Sequence, residues 1–415
     1  MSLYIYQNTT QVGILDASAD GFYFKYSPSY IADSNPPISI SLPLQDKAFD
    51  QRSTTAFFDG LLPEENQRRT LADFLHVSSG STIKLLKAIA GDCVGNITVL
   101  DEDMGIDELN QTSGYSAISE AEFTELLQPA TMDRIPYLIA SRISLGGAQA
   151  KFGAYFNGTD WFAPRGLAPS SHIIKPASSN YKSLLANEFF AMKLAEKCGI
   201  LVPETNIIKS GPLYGLAIKR FDRVVVGNAL LRQAQEDFCQ ALSIKPTEKY
   251  QEDGGPGLEL LITTVQNHST NPLDDLNNLI RIVMFNYLVG NCDAHAKNFS
   301  LTRNLQTREL SLSPAYDLVS TTYYPKISRS MAMKIGHHYV IDKINNEDFA
   351  RLAGDAELDL STMKAILSDL RSKISNNLDE TTAFISDTHP DFLDEVKPFG
   401  EHLKHELEAR KNVLA

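Results

Sequence analysis

The chain has 415 residues, 43% of them hydrophobic and 21% charged, and its formal net charge is −13. This length supplies core for roughly two to three domains. Proteins that mainly bind nucleic acid usually carry a basic surplus, because neutralising phosphates supplies most of their affinity, so the composition argues against that class.

Three further features of the sequence concern its compartment. No stretch approaches the ~18 consecutive apolar residues of a membrane-spanning helix, and the start MSLYIYQNTTQVGIL lacks the regions of a signal peptide. The four cysteines are scattered without a C-x-x-C pair, which argues against a disulfide framework or a zinc knuckle. The sequence therefore predicts a soluble protein of the reducing cytoplasm.

The first predicted unit covers residues 1–110 and mixes strands with helices. Apolar and polar residues alternate through LYIYQNTTQVGILDA and GFYFKYSPSYI, which predicts short strands joined by turns. TTAFFDGLLPEENQRRTLADFL and STIKLLKAIAG are typical of helices, and CVGNITVL of another strand. The acidic stretch DEDMGIDELNQTSGYSAISE follows, and we expect it to be a linker with a domain boundary within residues 103–118.

The second predicted unit, residues 118–235, is rich in sheet. NGTD is a hairpin turn signal, and SHIIK is a strand that ends at Pro176, which cannot donate to a central ladder. In SLLANEFFAMKLAEKCG we expect a helix with Ser183 as its cap and Gly199 as its stop. LYGLAIKRFDRV predicts a further strand, so this unit is expected to be a small sheet with one inserted helix.

The third predicted unit, residues 236–415, is mainly helical. GLELLITTVQ and PLDDLNNLIRIVMFNYLVG predict long helices. FSL and ELSLSP predict a hairpin that leads into AYDLVS. Three helices are expected to close the chain, in LDLSTMKAILSDLRSKI, ISDTHPDFLDEV and FGEHLKHELEARKNVL.

The stretch GNCDAHAKNFSL, residues 290–301, concentrates ionisable and chelating side chains. In a metal-hydrolase site, Asp293 and His295 would point to the same face of a strand, but such a site needs further converging ligands that the sequence does not indicate. In a simple polar turn, Asp293 would only follow the helix stop at Gly290. Both interpretations stay open at this point.

A third interpretation is phosphoryl transfer, which needs a base, oxygen ligands for magnesium and a cation on the phosphates. Asp293 and Asn298 have the D-x-x-x-x-N spacing of a protein-kinase catalytic loop. Asp317 follows the predicted hairpin, where a second magnesium carboxylate is expected. Lys175 ends a strand of the preceding sheet, as a phosphate lysine should, and Glu188 on the next helix is its candidate partner.

The order of several sequence blocks identifies a resemblance. RISLGGAQAK, SHIIKP, NEFFAMKLAEKCGI, AIKRFDR, QEDFCQ, KYQEDGGPG, GNCDAHAKNFSL and SPAYDLVS together resemble the HipA family of bacterial toxin kinases, and FKYSPSYI, SISLPL and FFDGLLPE resemble its N-terminal subdomain. The resemblance implies an α+β, bilobal protein-kinase-like fold with an additional N-terminal α+β subdomain. It also implies a Ser/Thr protein kinase that uses ATP and Mg²⁺, with a HipB-like helix-turn-helix antitoxin as partner.

The resemblance also assigns roles to residues. It implies that Asp293 is the catalytic base, that Asn298 and Asp317 are magnesium ligands, and that Ser144 is autophosphorylated. Lys219 stands where the family often has an acidic residue, so its backbone rather than its side chain is expected to serve the adenine hinge. The implied ATP contacts are Gly146, Gly147, Ala148, Gln149, Lys175, Lys219, Phe221, Gln235, Asp237, His295, Lys297 and Tyr316.

Autophosphorylation at Ser144 is expected to inactivate the kinase. A phosphoserine adds roughly −1.5 to −2 charges to a loop that has to hold the anionic ATP phosphates. The Ser144→Ala variant should therefore bind ATP and keep its activity during prolonged incubation with ATP, while the wild type loses activity. A time course of kinase activity tests this, and an equal loss in both proteins would contradict it.

The implied partners leave two function classes open. The family is associated with phosphorylating aminoacyl-tRNA synthetases, and a protein substrate of that kind is expected. The alternative is mainly a structural corepressor, which binds the antitoxin on operator DNA and has little kinase activity. In either case the acidic chain is expected to reach DNA only through the antitoxin.

Overall fold

The structure is a computed structural model that describes residues 2–18, 21–89, 91–101, 105–128, 134–141, 145–146, 149–178 and 181–414. Its helices are α1 Pro28–Ala32, α2 Gln51–Asp59, α3 Glu65–Phe74, α4 Thr82–Ile89, α5 Ile106–Gln111, α6 Glu120–Leu126, α7 Ile135–Ser141, α8 Leu184–Lys197, α9 Phe238–Ala241, α10 Leu258–His268, α11 Pro272–Val289, α12 Asn346–Asp355, α13 Leu360–Thr388 and α14 Leu393–Ala409. Its strands are β1 Ser2–Gln7, β2 Thr10–Ser18, β3 Gly21–Tyr26, β4 Ile97–Asp101, β5 Gly114–Ala117, β6 Phe152–Phe156, β7 Trp161–Arg165, β8 His172–Pro176, β9 Thr205–Ser210, β10 Leu213–Lys219, β11 Arg223–Val226, β12 Ala229–Arg232, β13 Ala234–Asp237, β14 Ser300–Arg303, β15 Leu310–Leu312, β16 Ser330–Ile335 and β17 His338–Val340.

The chain divides into two compact units. Unit 1 consists of Met1–Ser179, Ile208–Thr247 and Leu301–Arg308, and unit 2 consists of Asn180–Ile207, Glu248–Ser300 and Glu309–Ala415. Among the described residues, no helix combines the length and the apolar character needed to cross a membrane. The three-part division expected from the sequence stays a prediction.

Unit 1 begins with an antiparallel four-stranded sheet in the order β3-β2-β1-β4. Alternate residues of β1, Leu3 and Ile5, are fully buried, as the two-residue period of a strand requires when one face packs on a core. Phe57 and Phe58 of α2 belong to the same hydrophobic cluster. The strands expected in LYIYQNTTQVGILDA and CVGNITVL are confirmed, whereas GFYFKYSPSYI is a strand only to Tyr26 and continues as the short helix α1, which begins with a proline. The helical stretch TTAFFDGLLPEENQRRTLADFL is divided into α2 and α3.

A second sheet has six strands in the order β5-β7-β6-β8-β10-β9. The expected linker at residues 103–118 is wrong in part, because residues 106–111 form α5 and residues 114–117 form the edge strand β5, paired with β7. Tyr115, Ser116 and Ala117 are exposed there, so the strand carries no apolar alternation by which to recognise it. The NGTD turn is confirmed, since the side chain of Asn157 accepts hydrogen bonds from the backbone of Thr159 and Asp160.

Unit 2 is built largely from α8 and α10–α14. The long apolar helix expected before GNCDAHAKNFSL is α11, which ends at Gly290 with a left-handed φ of 73°. The end of α8 before Gly199 is also confirmed. The cap predicted at Ser183 is wrong in its detail, because its side chain makes no capping hydrogen bond and its φ is 62°.

The closing helices differ from the expectation. The segment ISDTHPDFLDEV is not a helix of its own, because α13 runs through 29 residues to Thr388 and α14 begins at Leu393. The break falls at His389 and Pro390, which is where the restriction that proline places on the preceding residue ends a helix. Nothing before His389 interrupts α13, so its two predicted parts merge.

Candidate active site

The loop between α11 and β14 is fixed by hydrogen bonds within unit 2. The carbonyl oxygen of Gly290 accepts from the Thr321 hydroxyl and from the Thr322 N–H, each at 3.1 Å. Cys292 donates its N–H to the Thr321 hydroxyl at 2.8 Å and accepts from the Ala332 N–H at 2.8 Å. A Cβ at position 290 would lie 2.1 Å from Thr322 Oγ1, so only glycine fits between the helix end and this segment.

Asp293 is the exposed residue of this loop, whereas the four residues after it are buried. Its carbonyl oxygen accepts from the His295 N–H at 2.8 Å and from the Asn298 amide nitrogen at 3.0 Å. The D-x-x-x-x-N spacing therefore closes into a tight turn with a solvent-facing carboxylate at its start. Because Asn298 uses its amide nitrogen inside the turn, its Oδ1 is the atom that it can offer to a metal ion.

Tyr250 reaches Asp293 from 43 residues earlier in the chain. Its hydroxyl donates to Asp293 Oδ1 at 2.7 Å, and its ring packs edge-on against the imidazole of His295 with centroids 5.2 Å apart. A donor on one carboxylate oxygen sets the rotation of the carboxylate about its Cβ–Cγ bond. The sequence reasoning missed this residue, although Tyr250 lies in the quoted block KYQEDGGPG.

Tyr316 and Asp317 complete the group of candidate residues in unit 2. The Tyr316 hydroxyl donates to the Lys297 carbonyl oxygen at 2.7 Å and lies 2.5 Å from Ser300 Oγ. Asp317 has a φ of 58°, a left-handed conformation that costs about 1 kcal/mol or more outside glycine and is concentrated at functional sites. The chemistry of Asn298 and Asp317 fits Mg²⁺, which takes oxygen ligands and usually one or two carboxylates plus phosphates.

The metal-hydrolase alternative finds no such support. In the part of the chain that the structure describes, no group of three or more His, Cys, Asp and Glu side chains is placed to hold a metal ion. His295 instead packs on Tyr250.

Unit 1 holds the remaining candidates except Glu188. Lys175 lies in β8 opposite Leu216 of β10, and it is only 6% exposed, so it is not the solvated lysine usual at a strand end. Lys219 is exposed at the end of β10, and Phe221 follows it, half-buried. Glu188, the candidate partner of Lys175, belongs to unit 2 and is buried in α8.

The glycine loop is described only in part, because Ser144, Gly147 and Ala148 lie outside the described residues. Gly146 accepts a hydrogen bond from Lys151 Nζ at 2.6 Å, and a Cβ on it would meet the Gly60 carbonyl oxygen at 2.9 Å. This close contact with Gly60 is sufficient to explain why position 146 is a glycine. Gln149 is half-buried.

Gln235 and Asp237 lie in β13, immediately before α9. Asp237 caps that helix, with its Oδ1 accepting from the Gln240 N–H at 2.9 Å while Gln240 Oε1 accepts from the Asp237 N–H. Gly95 packs so closely on Gln235 that a Cβ would lie 2.9 Å from its backbone nitrogen and oxygen. The structure therefore gives Asp237 a structural task besides the expected nucleotide contact.

A buried ionic network, here called the Asp92 network, lies beside the predicted adenine hinge. It consists of Asp92, Arg220, Asp222, Arg223 and Arg232, each with a side chain at most 6% exposed. Asp92 accepts from Arg223 at 2.7 Å and from Arg232 at 2.9 Å, while Arg220 makes two hydrogen bonds to Asp222. Burial alone would raise the pKa of Asp92, but the three arginines around it hold that pKa well below its usual range.

The Asp92 network explains the three buried charged residues in the block AIKRFDR. Arg220, Asp222 and Arg223 anchor the segment, and the two hinge candidates Lys219 and Phe221 alternate with them. The sequence alone did not indicate this, because the acid at position 92 lies more than a hundred residues upstream.

Comparison with known proteins identifies the chain's relatives. Residues 143–378 match the HipA-like C-terminal domain and residues 3–100 the HipA N-terminal domain. "Putative kinase Y4mE" of Sinorhizobium fredii is 30% identical over 381 residues, which cover 90% of this chain and 89% of that protein. The "Serine/threonine-protein kinase toxin HipA" of Shewanella oneidensis is 27% identical over 409 residues, covering 95% and 91%.

A solved structure agrees with these matches. The complex of HipA, HipB and operator DNA from Shewanella oneidensis contains a chain with a TM-score of 0.86 and 25% identity, covering 99% of this chain and 98% of that one. The expected α+β, HipA-like fold is thereby confirmed. The chain is an enzyme of the kinase class, and as a kinase it uses ATP. It belongs to the HipA family.

Proposed function

We propose that the chain is a Mg²⁺- and ATP-dependent Ser/Thr protein kinase that serves as the toxin of a HipA/HipB-type toxin–antitoxin module in the cytoplasm. The observation that carries the proposal is the turn in which Asp293 is exposed while Asn298 is bonded to its carbonyl oxygen. The named relative HipA of Shewanella oneidensis supports both the Ser/Thr specificity and the role as toxin.

Each residue of the turn has a chemical task in this proposal. Asp293 takes the proton of the substrate hydroxyl as that oxygen attacks the terminal phosphorus of ATP, while the bond from this phosphorus to the bridging oxygen breaks and ADP leaves. Asn298 Oδ1 and the Asp317 carboxylate would hold Mg²⁺, which neutralises charge on the phosphates when bound. Tyr250 holds the Asp293 carboxylate in one orientation, so that less reorganisation is needed before the proton moves.

The nucleotide contacts proposed for the other candidates follow their expected roles. Lys175 neutralises ATP phosphates, and burial should make its charge effective because the local dielectric is low. The loop with Gly146, Gly147, Ala148 and Gln149 covers the phosphates, and Ser144 is its autophosphorylated residue. Further contacts are proposed for Lys219, Phe221, Gln235, Asp237, His295, Lys297 and Tyr316.

The substrate is proposed to be a protein, an aminoacyl-tRNA synthetase being the first candidate, whose phosphorylation would inhibit translation. Phosphoproteomics after brief expression, wild type against Asp293→Ala, should show one or a few phosphosites that depend on Asp293. Enrichment on a synthetase would identify the target class. Identical phosphoproteomes in the two strains would contradict the proposed kinase function.

Tyr250→Phe tests how the base is positioned. This change keeps the ring against His295 and removes only the hydroxyl that donates to Asp293, so we expect the phosphorylation rate to fall about tenfold, with the KM for ATP unchanged. Tyr324→Phe is the matched control, because it removes a hydroxyl that donates to the Lys182 carbonyl oxygen in the same unit. Wild-type activity in Tyr250→Phe, or an equal loss in both variants, would refute this role.

A second candidate function is that of a corepressor. The similar chain from Shewanella oneidensis was solved together with HipB and operator DNA, which favours a HipB-like antitoxin as partner and DNA contact through it. This function and kinase activity are compatible. Operator binding by the antitoxin with and without the Asp293→Ala chain separates them, since a corepressor does not need the base.

A further inference from the structure

A cavity of about 180 Å³ opens in unit 1, outside every candidate site discussed above. It lies among the β1–β2 turn, the segment after α1 and the loop after β14, which contribute Asn8, Asn35 and Arg308 among others. Among the described residues that line it are two arginines, Arg303 and Arg308, and no Asp or Glu. In a chain with a net charge of −13, this is a local concentration of positive charge.

Both arginines donate hydrogen bonds to backbone carbonyl oxygens. Arg303 Nη1 donates to the Arg308 carbonyl oxygen at 3.1 Å, and Arg308 Nη1 donates to the Ser34 carbonyl oxygen at 3.3 Å. Glu236, the acid that acts on Arg303 electrostatically, instead accepts from the Ser39 hydroxyl and the Ile40 N–H. Arg303 is half-buried, and burial lowers the pKa of its guanidinium, against the opposing effects of Glu236 and Tyr30.

The loop that carries Arg308 is built to hold it in place. Asn304 accepts from the N–H groups of Gln306 and Thr307 through its Oδ1, and its carbonyl oxygen accepts from the Arg308 N–H at 3.0 Å. Arg308 has a φ of 62°, an unfavourable backbone conformation for a residue with a Cβ. These bonds hold Arg308 in that conformation beside Arg303.

Amide groups add neutral donors to the two cations. Asn96 and Asn304 both line the cavity, and each uses its Oδ1 as an acceptor within the protein, so the NH₂ group is the part of each side chain that can serve a ligand. These donors come from two segments, residue 96 and residues 303–308, and they border a cavity large enough to admit a small anion. A tetrahedral dianion with three terminal oxygens matches two guanidinium groups and several amides, whereas a planar carboxylate is served by one arginine fork.

We propose that this cavity is a binding site for a phosphoryl group, either free phosphate or the phosphate of a phosphoserine, held by Arg303 and Arg308. The proposal does not rest on the kinase assignment, because none of the lining residues is a candidate active-site residue. A site of this kind would let the protein sense a phosphorylated segment or the phosphate ion itself.

Calorimetric titration of the full chain at constant ionic strength tests the site, with inorganic phosphate, O-phosphoserine and acetate as probes. We expect phosphate or phosphoserine to bind, and each of Arg303→Gln and Arg308→Gln to weaken binding by about tenfold or more. Because Arg308 is exposed, we expect Arg308→Gln to fold normally. Arg52→Gln, at an exposed arginine of α2 in the same unit, is the matched control for lost charge.

The outcomes separate the possible ligands. Binding of both phosphoryl probes assigns the site to the phosphoryl group on any carrier, and binding of inorganic phosphate alone assigns it to the free ion. Phosphate binding at the nucleotide site should persist in both arginine variants. Only the binding that these variants lose is therefore assigned to the cavity. The proposal would be overturned if neither arginine variant lost phosphate binding, or if Arg52→Gln lost as much. It would also be overturned if acetate bound as tightly as phosphate.

Discussion

Replacing Asp293 by alanine is expected to lower the rate of phosphoryl transfer by about 100- to 10,000-fold, the usual contribution of a positioned general base. Asp293 is proposed to touch the substrate hydroxyl and not the nucleotide, so the affinity for ATP should stay within about threefold of the wild type. Phosphate incorporation from radiolabelled ATP measures the first quantity and calorimetry the second. The loss should therefore appear in kcat and not in the KM for ATP.

Two further variants make this test specific. Asp293→Asn keeps the shape of the side chain and an oxygen for the Tyr250 hydroxyl, but it cannot take a proton, so it should lose activity as severely as the alanine variant. Asp274→Ala removes an exposed carboxylate at the start of α11 in the same unit and should keep activity. An active Asp293→Asn protein would assign Asp293 a positioning role and exclude it as the base.

The parts of this site that could be predicted are those with a local signal. The apolar pattern of α11 and the glycine at 290 are local, and the structure bears both out, including the left-handed φ that favours glycine there. The spacing of Asp293 and Asn298 is local as well, and one hydrogen bond joins the two residues. Such features need only a few neighbouring residues to become recognisable.

The contacts that could not be predicted join distant segments. Tyr250 and Asp293 lie 43 residues apart in the chain. A single tyrosine in a polar segment has no periodicity from which its partner could be predicted. The edge strand β5 lies where the sequence predicts a linker, because an exposed strand needs no apolar alternation. In both cases tertiary packing determines the structure, and the local sequence does not favour that structure over the alternatives.

The Asp92 network also joins distant segments, and we expect it to have the largest effect on stability. Asp92→Asn is expected to lower the free energy of unfolding of unit 1 by about 3–5 kcal/mol. The variant keeps the size of the side chain but leaves three buried arginines facing one remaining acid, Asp222. Breaking a buried charge pair is costly because the unpaired partners have already lost their water. Against a usual domain stability of about 5–15 kcal/mol, this loss is large.

The chain offers a direct probe for this measurement. Trp161 is its only tryptophan and lies in β7 of unit 1, so urea unfolding followed by tryptophan fluorescence reports on the unit that contains Asp92. Asp73→Ala, at an exposed acid of α3 in the same unit, should change the stability by no more than about 0.5 kcal/mol. A loss below 1 kcal/mol in Asp92→Asn, or an equal loss in both variants, would contradict a stabilising role for the network.

The pH dependence gives an independent check on the same acid. Because the pKa of Asp92 is held below its usual range in the folded state, its contribution is complete above the ordinary carboxyl pKa of about 4 and disappears only as the pH falls through the lowered folded value. The difference between wild type and Asp92→Asn should therefore be constant between pH 6 and 8, taken as roughly two units or more above that ordinary pKa, and shrink only in acid. A difference that already declines within the neutral range would mean that Asp92 is not the ionised centre of the network.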